Sequence, residues 1–466
     1  MKKALILVLV FLVALCPMYI LTSVSASDFV VEEGVLLSYT GSGASVSIPD
    51  SVYYIADGAF KDNTEITKID LNPNLQIIGN EAFYGCTSLK EVVGGKNVSY
   101  VGAYAFFNTP FFSNNSDKLI AIGSVLLGGS VKSELIVGKE IKMIAPYAFA
   151  DNAKLKSVKA TENLSAIGEG AFYRCSALSD VIVSNELSSV GPLAFFDTAF
   201  VNNYDGDFVT IGNGLLLQYK GSSSSVTTPD SVMQIAGGAF YSNTDVTKVI
   251  VSDGVTSIGK RAFANCSKLQ VVTVPDSLTM IDDEAFARCK SIESFSIPEN
   301  VSIMGESIFY GCNSLESIIF KNSADIGAGT FVNCSNLSFV KLSGSITSIG
   351  DSAFLNCSSL TDLSVTDKVN NIGEDAFKGC DVLTLSCNQL SYAYDYASTN
   401  NINAIQCGDA NLDGKVNIRD ATFIQKYSAS LVEMSDLELL RAEVNFDGKI
   451  NVRDATYIQK LLAGMV

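Results

Sequence analysis

The chain has 466 residues, with 32 Lys and Arg against 49 Asp and Glu, no His and no Trp, giving a formal net charge of −17. Such an acidic surface repels nucleic acid and anionic lipid, and points to neutral glycans, basic proteins or calcium-bearing surfaces as partners. Without histidine, Ser-His-Asp and Cys-His catalysis and His-ligated zinc are excluded.

Lys2 and Lys3 precede an apolar run from Ala4 to about Leu15, followed by small residues ending Val24-Ser25-Ala26. This layout predicts a secretory signal peptide over residues 1–26, cut after Ala26. Cys16 raises a lipoprotein alternative, but Leu15 stands where a small residue is required. Cleavage removes two Lys and no acid, leaving 30 basic and 49 acidic residues (30 − 49 = −19) and ten cysteines. No later stretch reaches the roughly 18 consecutive apolar residues of a membrane span, so the mature chain is expected to be secreted and extracellular.

Residues 27–382 carry a repeat. A phenylalanine, usually preceded by Ala, falls at 60, 83 and 106, then 149, 172 and 195, then 240, 263, 286, 309, 331, 354 and 377. Within each block the step is 23 residues, with one step of 22; between blocks it is 43 and 45. In the fullest coil, Val272 and Val274 alternate with polar residues as in a short strand, and Pro275 ends it. Ile281, Ala285, Phe286 and Cys289 are spaced for one face of a short helical turn. A coil of this size cannot bury its own apolar face, so stacking is required and the phenylalanines form a column. Eight cysteines, from Cys86 to Cys380, sit three residues after a repeat Phe. A column of small thiols inside a solenoid accounts for them without redox or metal chemistry; Cys387 and Cys407, off the period, are the pair that could bridge. The long steps hold Asp28–Tyr39, Asp117–Leu127 and Asp207–Tyr219, each reading as strand, Gly turn and strand, a hairpin that opens a new block.

Residues 383–407 break the rhythm. SYAYDYASTN over Ser391–Asn400 predicts a capping helix, with Tyr392, Tyr394 and Tyr396 read as packing rather than as a sugar platform. No long Pro/Thr linker precedes the tail, which is therefore expected to sit close to the cap. In residues 408–466 the phrases NIRDATFIQK (Asn417–Lys426) and NVRDATYIQK (Asn451–Lys460) recur 34 residues apart, each after an oxygen-rich loop. A hard cation of calcium's size takes six to eight oxygens, supplied by a twelve-residue loop from positions 1, 3, 5, 7, 9 and 12 with Gly at 6. The first loop offers Asp409, Asn411, Asp413, the Lys415 carbonyl, Asn417 and Asp420 around Gly414. The second offers Glu443, Asn445, Asp447, the Lys449 carbonyl, Asn451 and Asp454 around Gly448. Two loops in register predict two Ca²⁺ ions.

The tail, a loop followed by a helix, duplicated and without an entering helix, resembles the dockerin module of cellulosomes over about Gly408–Val466. Glu443 departs from the Asp usual at position 1, and its extra methylene leaves open a weakened or distorted second site. The resemblance implies calcium-dependent folding and docking onto a cohesin domain of a scaffold protein. Its contact positions fall here on Ile418, Arg419, Gln425 and Lys426, and on Val452, Arg453, Gln459 and Lys460. For Ile418 and Val452, simple core packing stays open. Because the copies are near-identical, two docking orientations are expected. The signature IGxxAFxxCxxLxxV resembles the BspA-type leucine-rich repeats of bacterial surface proteins, over roughly Phe29–Gln406.

The fold class expected is an α+β solenoid of about 23-residue coils, each a short strand plus a helical turn, with hairpin inserts and a small all-α calcium-binding dockerin behind it. The function expected is secreted, non-catalytic binding or adhesion within a cellulosome-type complex, through a protein or glycan ligand of the repeat. The alternative is a polysaccharide-degrading component, by a two-acid hydrolase pair or a calcium-assisted lyase. Against it, acids such as Asp230, Asp276 and Glu299 sit at ordinary repeat positions after the strand.

Overall fold

In the computed structural model, residues 28–115, 118–160, 162–322 and 324–465 are described; the expected signal peptide lies outside them. The repeat forms a β-solenoid in three blocks. Each opens on an antiparallel hairpin, Phe29–Glu32 with Val35–Tyr39, Leu119–Ile122 with Val125–Gly129, and Phe208–Ile211 with Leu215–Tyr219. From each hairpin's second strand, two-residue strands continue in parallel at the coil period, as in Leu36↔Ile55↔Ile78↔Val101. A second parallel ladder runs along another side of the coil, pairing Val46 with Ile69 and Ile69 with Val92.

The phenylalanines form the expected column. Ring centroids lie 4.7 Å apart for Phe240–Phe263, 5.2 Å for Phe263–Phe286 and 5.4 Å for Phe286–Phe309, in near-parallel stacks. Tyr39 and Tyr219 of the first and third hairpins start their blocks' columns, each 5.2 Å from the first repeat Phe.

The side of the coil carrying Ala-Phe is not helical. In every coil the residues two before and two after the repeat Phe have positive φ, for example Gly58 and Asp62, Arg261 and Asn265, Asp375 and Gly379. Between these left-handed points the amides alternate. Phe60 N and Asp62 N donate to Ala82 O and Tyr84 O of the next coil, while Lys61 N and Asn63 N donate back to Gly58 O and Phe60 O. A helix would spend all its amides within one coil; this arrangement spends half of them on the neighbour, and so extends the ladder around the corner.

Two four-residue helices, α1 (Pro110–Ser113) and α2 (Ala199–Asn202), end the first two blocks. Helix α3 (Tyr392–Thr399) covers the last coil, burying Ala393 and Ala397 and setting Tyr396 edge-on to Phe377 at 6.1 Å. Among the described residues no helix is long and apolar enough to cross a membrane.

Candidate functional site

The C-terminal region builds its own small core from Ala410, Ala421, Ile424, Ala442, Val444, Ala455 and Ile458. Three helices surround it: α4 (Ile418–Ser428), α5 (Asp436–Ala442) and α6 (Val452–Leu462). Helices α4 and α6 start identically. Asn417 and Asn451 are their N-caps, and Asp420 and Asp454 at the third helical position complete a capping box, which satisfies amides that a helix start leaves unpaired.

Each loop closes on its own carboxylates. In the first, Asp413 N and Gly414 N donate to the two Asp409 oxygens, both at 3.0 Å. Asn411 N and Asn417 N donate to the two Asp420 oxygens at 3.2 and 2.8 Å. In the second, Gly448 N donates to Glu443 Oε1 at 2.6 Å, and Asn445 N and Asn451 N to the Asp454 oxygens at 3.3 and 2.9 Å. Position 12 therefore ties loop to helix, which suits the short reach of Asp. Gly414 and Gly448 have φ of +81° and +85°, and nothing lies within 4 Å of where a Cβ would be. Backbone handedness, not crowding, requires glycine there.

The donor set fits a hard cation. Among the described residues no group of three or more His, Cys, Asp or Glu side chains converges as a ready cluster. Each loop instead mixes carboxylate, side-chain amide and backbone oxygens, the mixture a calcium loop uses. Asp420 and Asp454 are fully buried. Burial pushes both carboxyls up, backbone hydrogen bonds pull them down, and the neighbouring loop carboxylates push them up again. A divalent ion would relieve that repulsion.

All eight expected partner contacts are exposed: Ile418, Arg419, Gln425 and Lys426 along α4, and Val452, Arg453, Gln459 and Lys460 along α6. Ile418 is 56% and Val452 59% exposed, which removes them from the core.

The sequence did not reveal how this region rests on the solenoid. Arg441 of α5 grips Asp362 of the strand Asp362–Ser364 with two nitrogens, at 3.2 and 3.0 Å, and reaches Asp409 at 3.5 Å. Ser364 Oγ donates to Leu440 O at 3.3 Å. Lys341 pairs with Glu443 at 3.3 Å. Gly344 faces the Phe446 carbonyl so closely that a Cβ would stand 2.2 Å from it. Asp362 and Ser364 flank Leu363 in an ordinary polar–apolar–polar alternation, so the sequence carried no signal that both are buried here. Cys387 and Cys407 are buried free thiols, joined through Cys407 N donating to Cys387 O at 3.1 Å.

Comparison with known proteins agrees with this architecture. The family description "BspA type Leucine rich repeat region" matches residues 37–123, 114–202, 209–337 and 324–429, and "Dockerin type I domain" matches 407–463. No curated protein matches the chain. Among solved structures, a Treponema pallidum leucine rich repeat protein is 27% identical, covering 41% of this chain and 88% of its own, with a TM-score of 0.35. A leucine rich cell surface protein from Faecalibacterium prausnitzii is 22% identical (78% and 96% covered, TM-score 0.30). A leucine-rich repeat protein from Bacteroides ovatus is 20% identical (82% and 100% covered, TM-score 0.37).

Proposed function

We propose a function on the premise that this chain belongs to the BspA-type leucine-rich repeat family and ends in a type I dockerin domain: it is a secreted, non-catalytic binding protein carried on a cellulosome-type scaffold. Type I dockerins bind calcium and dock onto cohesin domains. We assign one Ca²⁺ to each loop, held by Asp409, Asn411, Asp413, Lys415 O, Asn417 and Asp420, and by Glu443, Asn445, Asp447, Lys449 O, Asn451 and Asp454. The observation that carries the reading is the pair of identically capped helices whose eight candidate contacts are all exposed, while α5 and the second loop rest on the solenoid. Cohesin then has free access to either helix.

The test is capture from the producing organism's culture fluid on the immobilised protein, with and without a calcium chelator. A scaffold band present with calcium and lost with chelator is expected; a band indifferent to chelator would sink the assignment. Incubation of residues 27–407 with plant polysaccharides should release no new reducing or unsaturated ends. Their appearance would make the chain an enzyme.

A further inference from the structure

A groove of about 880 Å³ runs along one edge of the third block, crossing the coils centred on Phe263 to Phe377. Its rungs are residues two and four positions after each repeat Phe, among them Asn265, Arg288, Lys290, Asn333 and Asn356. From Asn265 to Ser358 the lining has no carboxylate, and Asp381 at the far end is its one acid. On a chain of net charge −17 that is a marked departure. In the earlier blocks three of the six residues at the same position are acids, Asp62, Asp151 and Asp197, beside Gly85, Asn108 and Arg174.

The cations of the groove are also unlike their neighbours. One coil earlier, Lys260 pairs with Asp283 at 3.3 Å and Arg261 with Glu284 at 2.9 Å. Arg288 and Lys290 form no ion pair with any described residue. The Arg288 guanidinium instead lies over the Tyr310 ring, 5.6 Å from its centroid. Stacking of that kind pre-orients a planar fork that matches a carboxylate. Gly311, next along the ladder, lines the groove beside this pair, with the Arg288 stem 3.4 Å from where its Cβ would be.

We propose that this groove binds an acidic oligosaccharide, a hydroxyl-rich chain laid along the solenoid axis with a sugar carboxylate held by Arg288 and Lys290. The ladder of amides and hydroxyls supplies both donors and acceptors, as sugar hydroxyls require. Coil spacing, 4.7–5.8 Å along the phenylalanine column, brings one rung to roughly each pyranose ring. A peptide is the poorer fit. Strand addition needs an unpaired backbone edge, yet the amides of Asn265, Arg288, Gly311, Asn333 and Asn356 all donate to the next coil. The lining also lacks the apolar pockets that anchor side chains.

The proposal deepens the reading of the solenoid as a binding body and rests on it. Its test is calorimetric titration of the full mature chain, in calcium, with a glucuronic-acid-substituted xylo-oligosaccharide and with the unsubstituted one of equal length. The acidic sugar should bind at least tenfold more tightly. The double variant Arg288→Gln, Lys290→Gln should lose that margin with an unchanged circular dichroism spectrum, and Asn333→Ala with Asn356→Ala should weaken both sugars. No binding of the acidic sugar, or binding equal to the neutral one or untouched in the double variant, overturns the proposal. Cohesin capture by the same preparation separates the two levels. If capture persists while the acidic sugar fails, only the groove assignment falls; if capture fails, the parent reading falls.

Discussion

Three residues after each repeat Phe, the side chain is chosen by what lies next to it along the axis. In the first coil of each block it is Asn63, Asn152 or Asn243, whose Oδ1 accepts amides of its own loop at 3.0–3.2 Å. In following coils it is Cys, whose thiol donates to the previous coil's Phe carbonyl, as Cys289 does to Phe263 O at 3.0 Å. In the last coil of the first two blocks it is Thr109 or Thr198, whose hydroxyl caps the four-residue helix. A buried carbonyl left without a donor is costly, and a thiol is a donor small enough for the column. Burial also holds several of these thiols neutral. Burial pushes Cys86 and Cys175 up to about 11 and Cys334 to about 12, from an ordinary value of 9.0. A folded-state value above the unfolded one gives a contribution fully present below pH 9 and lost as pH climbs through 11. Unfolding by denaturant at pH 8 and at pH 10.5 should therefore show a lower midpoint at the higher pH. An equal midpoint would mean that the thiols are not sealed in.

At the scale of the coil, the period, the three hairpins and the stacked column were all legible, because a single large apolar residue every 23 positions admits no other regular packing. The corner was not. Ile281, Ala285 and Phe286 have helical spacing, but Glu284 and Arg288 take left-handed φ of 54° and 59° and break any helix. The signal was present in the Gly, Asn and Asp that fill many of these positions, such as Gly58, Asp62, Gly85 and Asn108; charged residues at others obscured it. A ladder that shares its amides with neighbours spreads local damage. Phe263, fully buried between two stacked rings, should cost about 3–5 kcal/mol when replaced by Ala. Hydrogen exchange should quicken first in the flanking coils and last near Phe60, since stability in such arrays is a sum of neighbour terms. Uniform quickening would show a single cooperative body instead. The paired helices of the dockerin carry a different expectation. With α4 and α6 capped alike and exposing equivalent side chains, Arg419→Ala with Lys426→Ala should leave cohesin binding within a few fold, and adding Arg453→Ala and Lys460→Ala should abolish it. Loss in the first double variant alone would rule out two docking orientations.

In the whole molecule, the solenoid and the dockerin share charges. Arg441 and Asp362 are 13% and 12% exposed at the side chain, and removing one partner of so buried a pair costs about 3–5 kcal/mol. Asp362→Ala should release α5 from the solenoid, seen as faster exchange of the Leu440 amide. Replacing both residues by Leu should restore protection, and failure to do so would mean that the pair sets the docking geometry rather than merely filling it. No residue period could have announced this contact, because Asp362 and Arg441 are 79 positions apart and belong to different patterns. The same contact gives a role to the Glu at position 1 of the second loop. Its longer side chain accepts Gly448 N with one oxygen while the other meets Lys341 of the solenoid. In the first loop Asp409 makes the matching pair of contacts, with Gly414 N and Arg441. If Glu443 also holds a calcium ion, Lys341 places a positive charge beside that ion and opposes its binding. The repulsion at a partly screened few ångströms is on the order of 1 kcal/mol. Calorimetry of Lys341→Ala should therefore show one calcium site tightened by about fivefold and the other unchanged, with the gain shrinking at high salt. An unchanged pair of sites would separate Glu443 from the metal and leave it as a tether between the two modules.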